Sequence, residues 1–499
     1  MMTNKMKFFS MAVLFVAAAA LSSCEKETLS NVVSGTYTTT VDMAENNTKA
    51  LTSGGVKTFA AGERIAVIYK NTNGDTKKAV SAALTEGDIQ NGGKKAQFAV
   101  DLEEPDNTAA IRYIYPASMA KATIATDATM DDAGTIDFTK LCNQNGTLDN
   151  IDSLDLCVFE AASWGGTELP ANQTLTNKLA IGKFSFEESG SPINSDIKML
   201  YIGDGTHSYY IQRPSTSADP IFVAMMPVAN QYFTFHAANA DGSNKYEYEV
   251  SNKTLLANKW YELEISTTKL QTGATFGKFS IGGSNTVHFS QGNLKRVSGT
   301  WSFHDNQYDA LGSWSSTACD LFYWETTGNY GSGENCVTSS GTSSDVVNWG
   351  VNAISNGGNV ANAYSTPSKN QWIYLFNSRS GYSSKYGSAT VCSQHGVVIL
   401  PDHWTLPTGC SFTSGMSGWS TNSYDATAWA KMEAAGAVFL PAAGYRYGTK
   451  VSGVGHNDYY WSSTANGGYA WNVYFSENLV DPGYVNLRDG GQSVRLVCE

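Results

Sequence analysis

At 499 residues the chain exceeds what one ordinary core supports, so two to four domains are expected. Aromatic residues make up 12% and charged residues only 16%, the balance of a β-rich secreted or surface protein. The net charge of −12 disfavours nucleic acid and anionic membrane surfaces as partners, and no apolar run after residue 30 approaches the roughly 20 residues that span a bilayer.

The chain opens with Lys5 and Lys7, an apolar run from Met11 to Leu21, and then Ser22, Ser23 and Cys24. A positive start, a short apolar stretch and small residues before a cut site predict an export signal over residues 1–23. Leu21–Cys24 (LSSC) resembles a bacterial lipobox. That resemblance implies cleavage before Cys24, lipidation of its sulfur and an outer-membrane lipoprotein displayed at the surface; a plain secretory signal is the alternative. Each buried CH₂ of an acyl chain contributes about 0.8 kcal/mol, so several chains on one cysteine anchor stably.

Residues 24–48 read as a polar tether and first strand. FAAGERIAVIYK then places a turn at Gly62 and a short apolar run at Ile65–Ile68 that suits a buried strand. Alternation over Gln97–Leu102 predicts a strand with one wet face, and Asn145-Gly146 signals a turn. From LTNKLAIGKFSFE (Leu175–Glu187) onward, short strands recur at roughly ten-residue spacing, ending with KWYELEIS. That rhythm means sandwiches.

Phe59–Tyr69, Arg112–Ala117 (RYIYPA), Leu175–Phe186, IFVAMMPV and KWYELEIS, in this order, resemble the fimbrillin-like surface pilins over about Ser30–Lys269. The resemblance implies two tandem all-β, transthyretin-like sandwiches, assigned here to residues 49–165 and 166–270. It also implies pilin partners, in which a protease trims the first strand and another subunit's strand fills the groove by β-augmentation. Lys49, in NNTKALTSGG, is the nearest candidate processing site, because the first arginine, Arg64, falls inside an expected strand. The expectation is cleavage at Lys49 or none.

Residues 267–277 read as a linker. Beyond Ala274 the composition shifts: ten of the twelve tryptophans lie there, with dense Gly, Ser and Asn. TPSKNQWIYLFNSR (Thr366–Arg379) predicts a helix with Thr366 as cap, Pro367 in the first turn, and Trp372, Leu375 and Phe376 at helical spacing. AWAKMEAAGAVF predicts a second, ending at Gly436. VHFSQGNL, VILPDHWTLP, FLPAAGYRYG, YYWSST and SVRLV resemble the FISUMP-type and formylglycine-generating-enzyme-like modules, over residues 275–499. This resemblance implies an α+β, C-type-lectin-like domain. The tail also resembles lectin-fold variable regions, in which fixed segments (YYWSST, SVRLV) alternate with ligand-facing positions. On that resemblance the ligand-facing set is Tyr447, His456, Asp458, Tyr469, Trp471, Tyr474, Tyr484, Asn486 and Asp489. Trp461 reads as core, and alternation puts Trp471 and Tyr474 on opposite faces of one strand.

Calcium-type lectins need several converging oxygen ligands; GHND (Gly455–Asp458) and DPG (Asp481–Gly483) offer isolated carboxylates that read as turn formers. The oxidase's closely spaced cysteine pair is not matched, since Cys392 and Cys410 are eighteen residues apart. Neither His395/Asp402/His403 nor His304/Asp305/Asp309 has zinc spacing. No metal, cofactor or enzyme chemistry is therefore expected. With Cys24 set aside, seven cysteines remain: Cys142 with Cys157, or two among Cys319, Cys336, Cys392, Cys410 and Cys498, could pair, or all could be free. The expected function is a pilus tip or minor-subunit adhesin that binds a glycan or protein through residues 445–490. A stand-alone surface lipoprotein is the runner-up, and an enzyme with an unrecognised site the third reading.

Overall fold

The computed structural model describes residues 33–43, 58–337 and 341–499; the export signal, Cys24 and Lys49 lie outside the described residues. The chain is mostly β, with several sheets and short helices. Among the described residues no helix is long and apolar enough to cross a membrane.

The first strand, Gly35–Met43, is central to the first sheet. It pairs antiparallel with Lys95–Leu102, from Gly35↔Leu102 to Asp42↔Lys95, and runs parallel to Gln173–Asn177 on its other side. Strand Lys95–Leu102 buries Ala96, Phe98, Val100 and Leu102 and leaves the alternate residues wetter, as its pattern predicts. Strand Ala66–Lys70 is apolar on both faces for a reason. Val67 and Tyr69 fill the first core with Val41, Phe98 and Tyr113, whereas Ala66 and Ile68 pack into the second core with Ile181 and Leu200. Gln173–Asn177 completes the first sheet, and Asn143–Gln144 pairs into the second.

In the second sheet, strands Lys245–Leu255 and Lys259–Lys269 pair only at Tyr246↔Lys269 and Glu247↔Thr268, then part. Lys259–Lys269 runs instead parallel to Ala180–Glu188. The gap between the parting strands is an apolar cleft of about 220 Å³ lined by Phe184, Phe233, Phe235, Tyr248, Val250 and Leu263.

The third unit consists of small sheets and two main helices, Lys369–Asn377 and Ala426–Ala434. The first helix buries Trp372, Leu375 and Phe376. Its cap is Ser368, in a capping box with Gln371, and not Thr366; the Thr366 hydroxyl accepts from the Trp349 N–H instead. The second helix ends at Gly436, whose φ of 99° suits glycine. Strand Asn285–Phe289 pairs with Val497–Cys498, so the entry to this unit and the chain's end lie side by side.

The expected linker is not free. Strand structure continues to Lys269, and Leu270, Ala274 and Phe276 are buried with Leu294 and Phe303 in the third unit's core. The apolar residues spaced along 270–276 have a core to enter, which a polar tether would lack.

The second and third units meet through a buried, titratable contact. His236 stacks on Phe276 at 4.8 Å and donates from Nδ1 to the Ala434 carbonyl at 2.8 Å. Glu247, its cross-strand neighbour, accepts from Lys278 at 2.8 Å and lies 3.4 Å from His288. Glu249 also pairs with Lys278, and His403 stacks on Tyr232 at 3.5 Å. Burial holds His236, His288 and His403 below the usual histidine range despite these carboxylates. Burial opposes ionisation of Glu247, but His288, His236 and Lys278 together outweigh it and hold its carboxyl below the usual range.

Groups with depressed folded values contribute stability that is present above their unfolded values and lost as pH falls. For the histidines that loss begins below about pH 6.5, and Glu247 adds to it in stronger acid. The melting temperature of the whole chain is therefore expected to fall from pH 7.5 to 5.5, and His236→Phe, which keeps the stack but cannot bind a proton, should flatten that slope. An equal slope in the variant would remove His236 from the account.

Among the described residues none of the seven cysteines is in a disulfide, so the open choice between pairing and no pairing resolves to no pairing. Burial pushes Cys319 up to about 11 and Cys498 up to about 12, which leaves them unreactive.

Candidate functional site: a tyrosine ladder on the C-terminal unit

Three antiparallel strands, Asn457–Asn466, Tyr469–Ser476 and Leu479–Leu487, form a sheet. One face packs on the helix Lys369–Asn377 through Tyr460, Val473 and Phe475 with Trp372 and Phe376. The other face carries Tyr459, Tyr474 and Tyr484. Tyr459 is opposite Tyr474 in register, and the ring centroids are 4.9 Å (459–474), 5.2 Å (474–484) and 6.0 Å (459–484) apart. A bulge makes this possible: Pro482 and Gly483 together oppose Val473, so Asp481 and Tyr484, an odd number of residues apart, share a face. Pro482 suits that position because it has no N–H to donate.

The neighbouring hairpin, Tyr445–Tyr447 with Lys450–Ser452, extends the face. Tyr445 packs on Tyr459 at 5.8 Å and on Tyr447 at 5.9 Å, edge-on in both cases. Between them Arg446 points inward and is fully buried. It donates to the carbonyls of Leu321, Gly331 (2.7 Å), Gly448 (3.0 Å) and Glu334 (3.4 Å), and lies 4.0 Å over the Tyr323 ring.

The result is a continuous run, Tyr447–Tyr445–Tyr459–Tyr474–Tyr484, open at both ends, where Tyr447 is 51% and Tyr484 40% exposed. Among the described residues none of the five hydroxyls bonds to another protein group. Core tyrosines differ: Tyr201, Tyr323 and Tyr460 each donate to a backbone carbonyl. Burial, followed by the nearby tyrosines, pushes the Tyr459 hydroxyl up to about 12, so that central hydroxyl is uncharged at neutral pH.

The ligand-facing set expected from sequence is thus divided. Tyr447, Tyr474, Tyr484 and Asn486 share the ladder's side, and Asp489 adjoins Tyr447, raising its hydroxyl after burial has done so. Tyr469 and Trp471 lie on the opposite face, beside the helix start, and the Lys369 ammonium sits 3.4 Å over the Trp471 ring. Trp471 and Tyr474 are on opposite faces, as alternation predicts. His456 is exposed in the turn before the first strand. Asp458 is a correction. It is fully buried, accepting from the N–H groups of Ala443 (3.0 Å) and Tyr459 and from the Ser493 hydroxyl (2.8 Å), and burial raises its carboxyl well above the usual range. It organises the sheet from beneath and cannot meet a ligand. Two residues were missed: Tyr445 and Tyr459, each of which alternates with a buried neighbour, Arg446 and Tyr460.

The sequence-adjacent histidine sets have structural partners. His395 bonds the Gly455 carbonyl at 2.7 Å and stacks on Trp419, and Asp402 accepts from the Ser280 N–H and pairs with Arg379. Among the described residues no three His, Cys, Asp or Glu side chains could hold a metal ion. Trp461 is buried in the core, its indole N–H on the Phe322 carbonyl at 2.7 Å.

A family described as a domain of unknown function, DUF8237, matches residues 419–497, which include the whole ladder. No curated protein matches the chain. Among solved structures, the chain is similar to a fimbrial assembly protein from Parabacteroides distasonis, at 10% identity over 52% of this chain and 95% of that one, with a TM-score of 0.28. It is similar also to a cell-adhesion candidate from Bacteroides uniformis (14% identity, 47% and 96%, TM-score 0.26). A third is GBS52, the minor pilin of Streptococcus agalactiae (9% identity, 47% and 96%, TM-score 0.18).

Proposed function

We propose that this chain is a surface lipoprotein acting as a pilus tip or minor-subunit adhesin, with two transthyretin-like sandwiches presenting a C-type-lectin-like unit. The observation that carries this reading is the tyrosine ladder, an aromatic face with unused hydroxyl donors, borne by the last unit of the chain. Tyrosine supplies rigid contact area and a hydrogen bond at little entropic cost, as binding loops use it. Affinity comes from this face and not from covalent chemistry.

The place of the first strand supports assembly with other subunits. Gly35–Met43 lies between two strands and carries Val41 and Met43 into the first core. A cut at Lys49, six residues beyond Met43, would free it and open a groove for another subunit's strand. Mapping the N-terminus of surface-extracted protein tests this step: a start just after Lys49, in polymer-containing fractions, is expected. A start at Cys24 in monomeric protein would favour the stand-alone lipoprotein, in which the same ladder binds without a pilus.

The binding site is tested by substitution in the full chain. Tyr474→Ala is expected to weaken binding to a ligand-bearing cell surface about tenfold or more, the cost of a central aromatic contact. Its melting temperature should stay near that of the wild type. Trp471→Ala, on the other face, should leave binding almost unchanged; the reverse result would move the site to the Lys369–Trp471 side.

A further inference from the structure

The ladder's geometry and the charges around it restrict its ligand. We propose, resting on the reading above, that the ladder docks a protein surface that carries basic side chains, and not a glycan. Sugar recognition by aromatic side chains uses an open ring face on which the pyranose lies flat. Here the rings face one another: three pack at 34–48° with centroids 4.9–6.0 Å apart, and Tyr445 meets both Tyr447 and Tyr459 nearly at right angles. Rings packed against one another in this way cover much of each other's faces. Trp471, the largest ring nearby, has the Lys369 ammonium over it already.

The charges select the partner's chemistry. Asp481 lies opposite Tyr474 on the ladder's own face, and Asp489 adjoins Tyr447 at its end. One Asp489 oxygen is buried with no partner, although the Tyr447 hydroxyl comes to the same turn, about 3.7 Å from where a Gly490 Cβ would stand. Glu477 is exposed at the far turn, and Lys450 stands opposite Tyr447 in the hairpin. Carboxylates attract ammonium and guanidinium groups by charge and by charge-assisted hydrogen bonds, and the tyrosine hydroxyls beside them offer further acceptors. The carboxylates repel sulfated or sialylated chains, as does the net charge of −12. Exposed Leu479 and Val454 supply an apolar rim that suits a protein surface.

The test uses the labelled full chain on epithelial monolayers and on bacterial cells, each surface untreated, proteinase K-treated, periodate-oxidised, or with its amines acetylated. Binding is expected to survive periodate, to be lost after proteinase K, and to fall several-fold after acetylation and in Asp489→Asn, whose melting temperature should not change. Loss with periodate and survival through proteinase K would overturn this inference in favour of a glycan while leaving the ladder as the site. Binding indifferent to Tyr474→Ala and Tyr484→Ala, or absent from every surface, would overturn the ladder as a site and this inference with it.

Discussion

Arg446→Met should lower stability by about 3 kcal/mol or more and abolish ladder binding at physiological temperature. The side chain is fully buried, and its guanidinium holds four carbonyls, those of Leu321, Gly331, Glu334 and Gly448. Methionine fills much of the volume but donates nothing; the Gly331 and Glu334 carbonyls keep the Tyr323 N–H and hydroxyl, so the cost falls mainly on the Leu321 and Gly448 carbonyls, at about 1–3 kcal/mol each before relaxation. Because Tyr445 and Tyr447 flank Arg446 on one strand, the loss should release the hairpin from the rest of the ladder. Calorimetry combined with a binding assay checks this: a variant that melts like the wild type would mean that the carbonyls Arg446 serves find other donors. Lysine should not rescue it, since an ammonium lacks the planar fork that reaches three directions at once.

Trp461→Ala should cost about 3–5 kcal/mol, the usual range for emptying an indole's volume from a packed core. It lies in one core with Trp324, Trp349 and Phe322, and its N–H closes onto the Phe322 carbonyl. The comparison with Trp471→Ala is the informative part. Both tryptophans sit on adjacent strands of one sheet, yet the second is half-exposed under Lys369 and should shift the melting temperature little. Equal losses at the two positions would mean that Trp471 is also a core residue.

Much of the β framework was legible because it depends on local pattern. The alternation of Lys95–Leu102, the helix carrying Trp372, Leu375 and Phe376, and the core place of Trp461 follow from period and from residue size. The site was half legible, and its errors have a common cause. Asp458 reads as a turn residue beside Asn457, but it faces inward, toward N–H groups of Ala443 and Tyr459 and the hydroxyl of Ser493. Distant chain segments that meet only in the fold decide its burial. Tyr459 falls in a segment read as fixed, and Tyr445 in one matched only for its fold; strand alternation puts one side of such segments at the surface. Simple alternation would also have split Asp481 from Tyr484; the bulge at Pro482-Gly483 joins them, and register shifts of that kind depend on the partner strand. The supposed linker failed for a similar reason, since Leu270 and Phe276 are buried by residues far along the chain.

The register of the first strand has a mechanical consequence. Gly35–Met43 is held along its length, from Gly35↔Leu102 to Asp42↔Lys95 on one side and from Val41 to Met43 on the other. A load drawn on the chain just before Gly35 acts along the strand axis, so its hydrogen bonds share the force in shear and do not open one after another like a zipper. The same strand cut loose behind Met43 has no such constraint, and only its pairing then holds it in place. On the proposed anchoring and cleavage, the same element is a strong grip under drag and a removable one after a single cut.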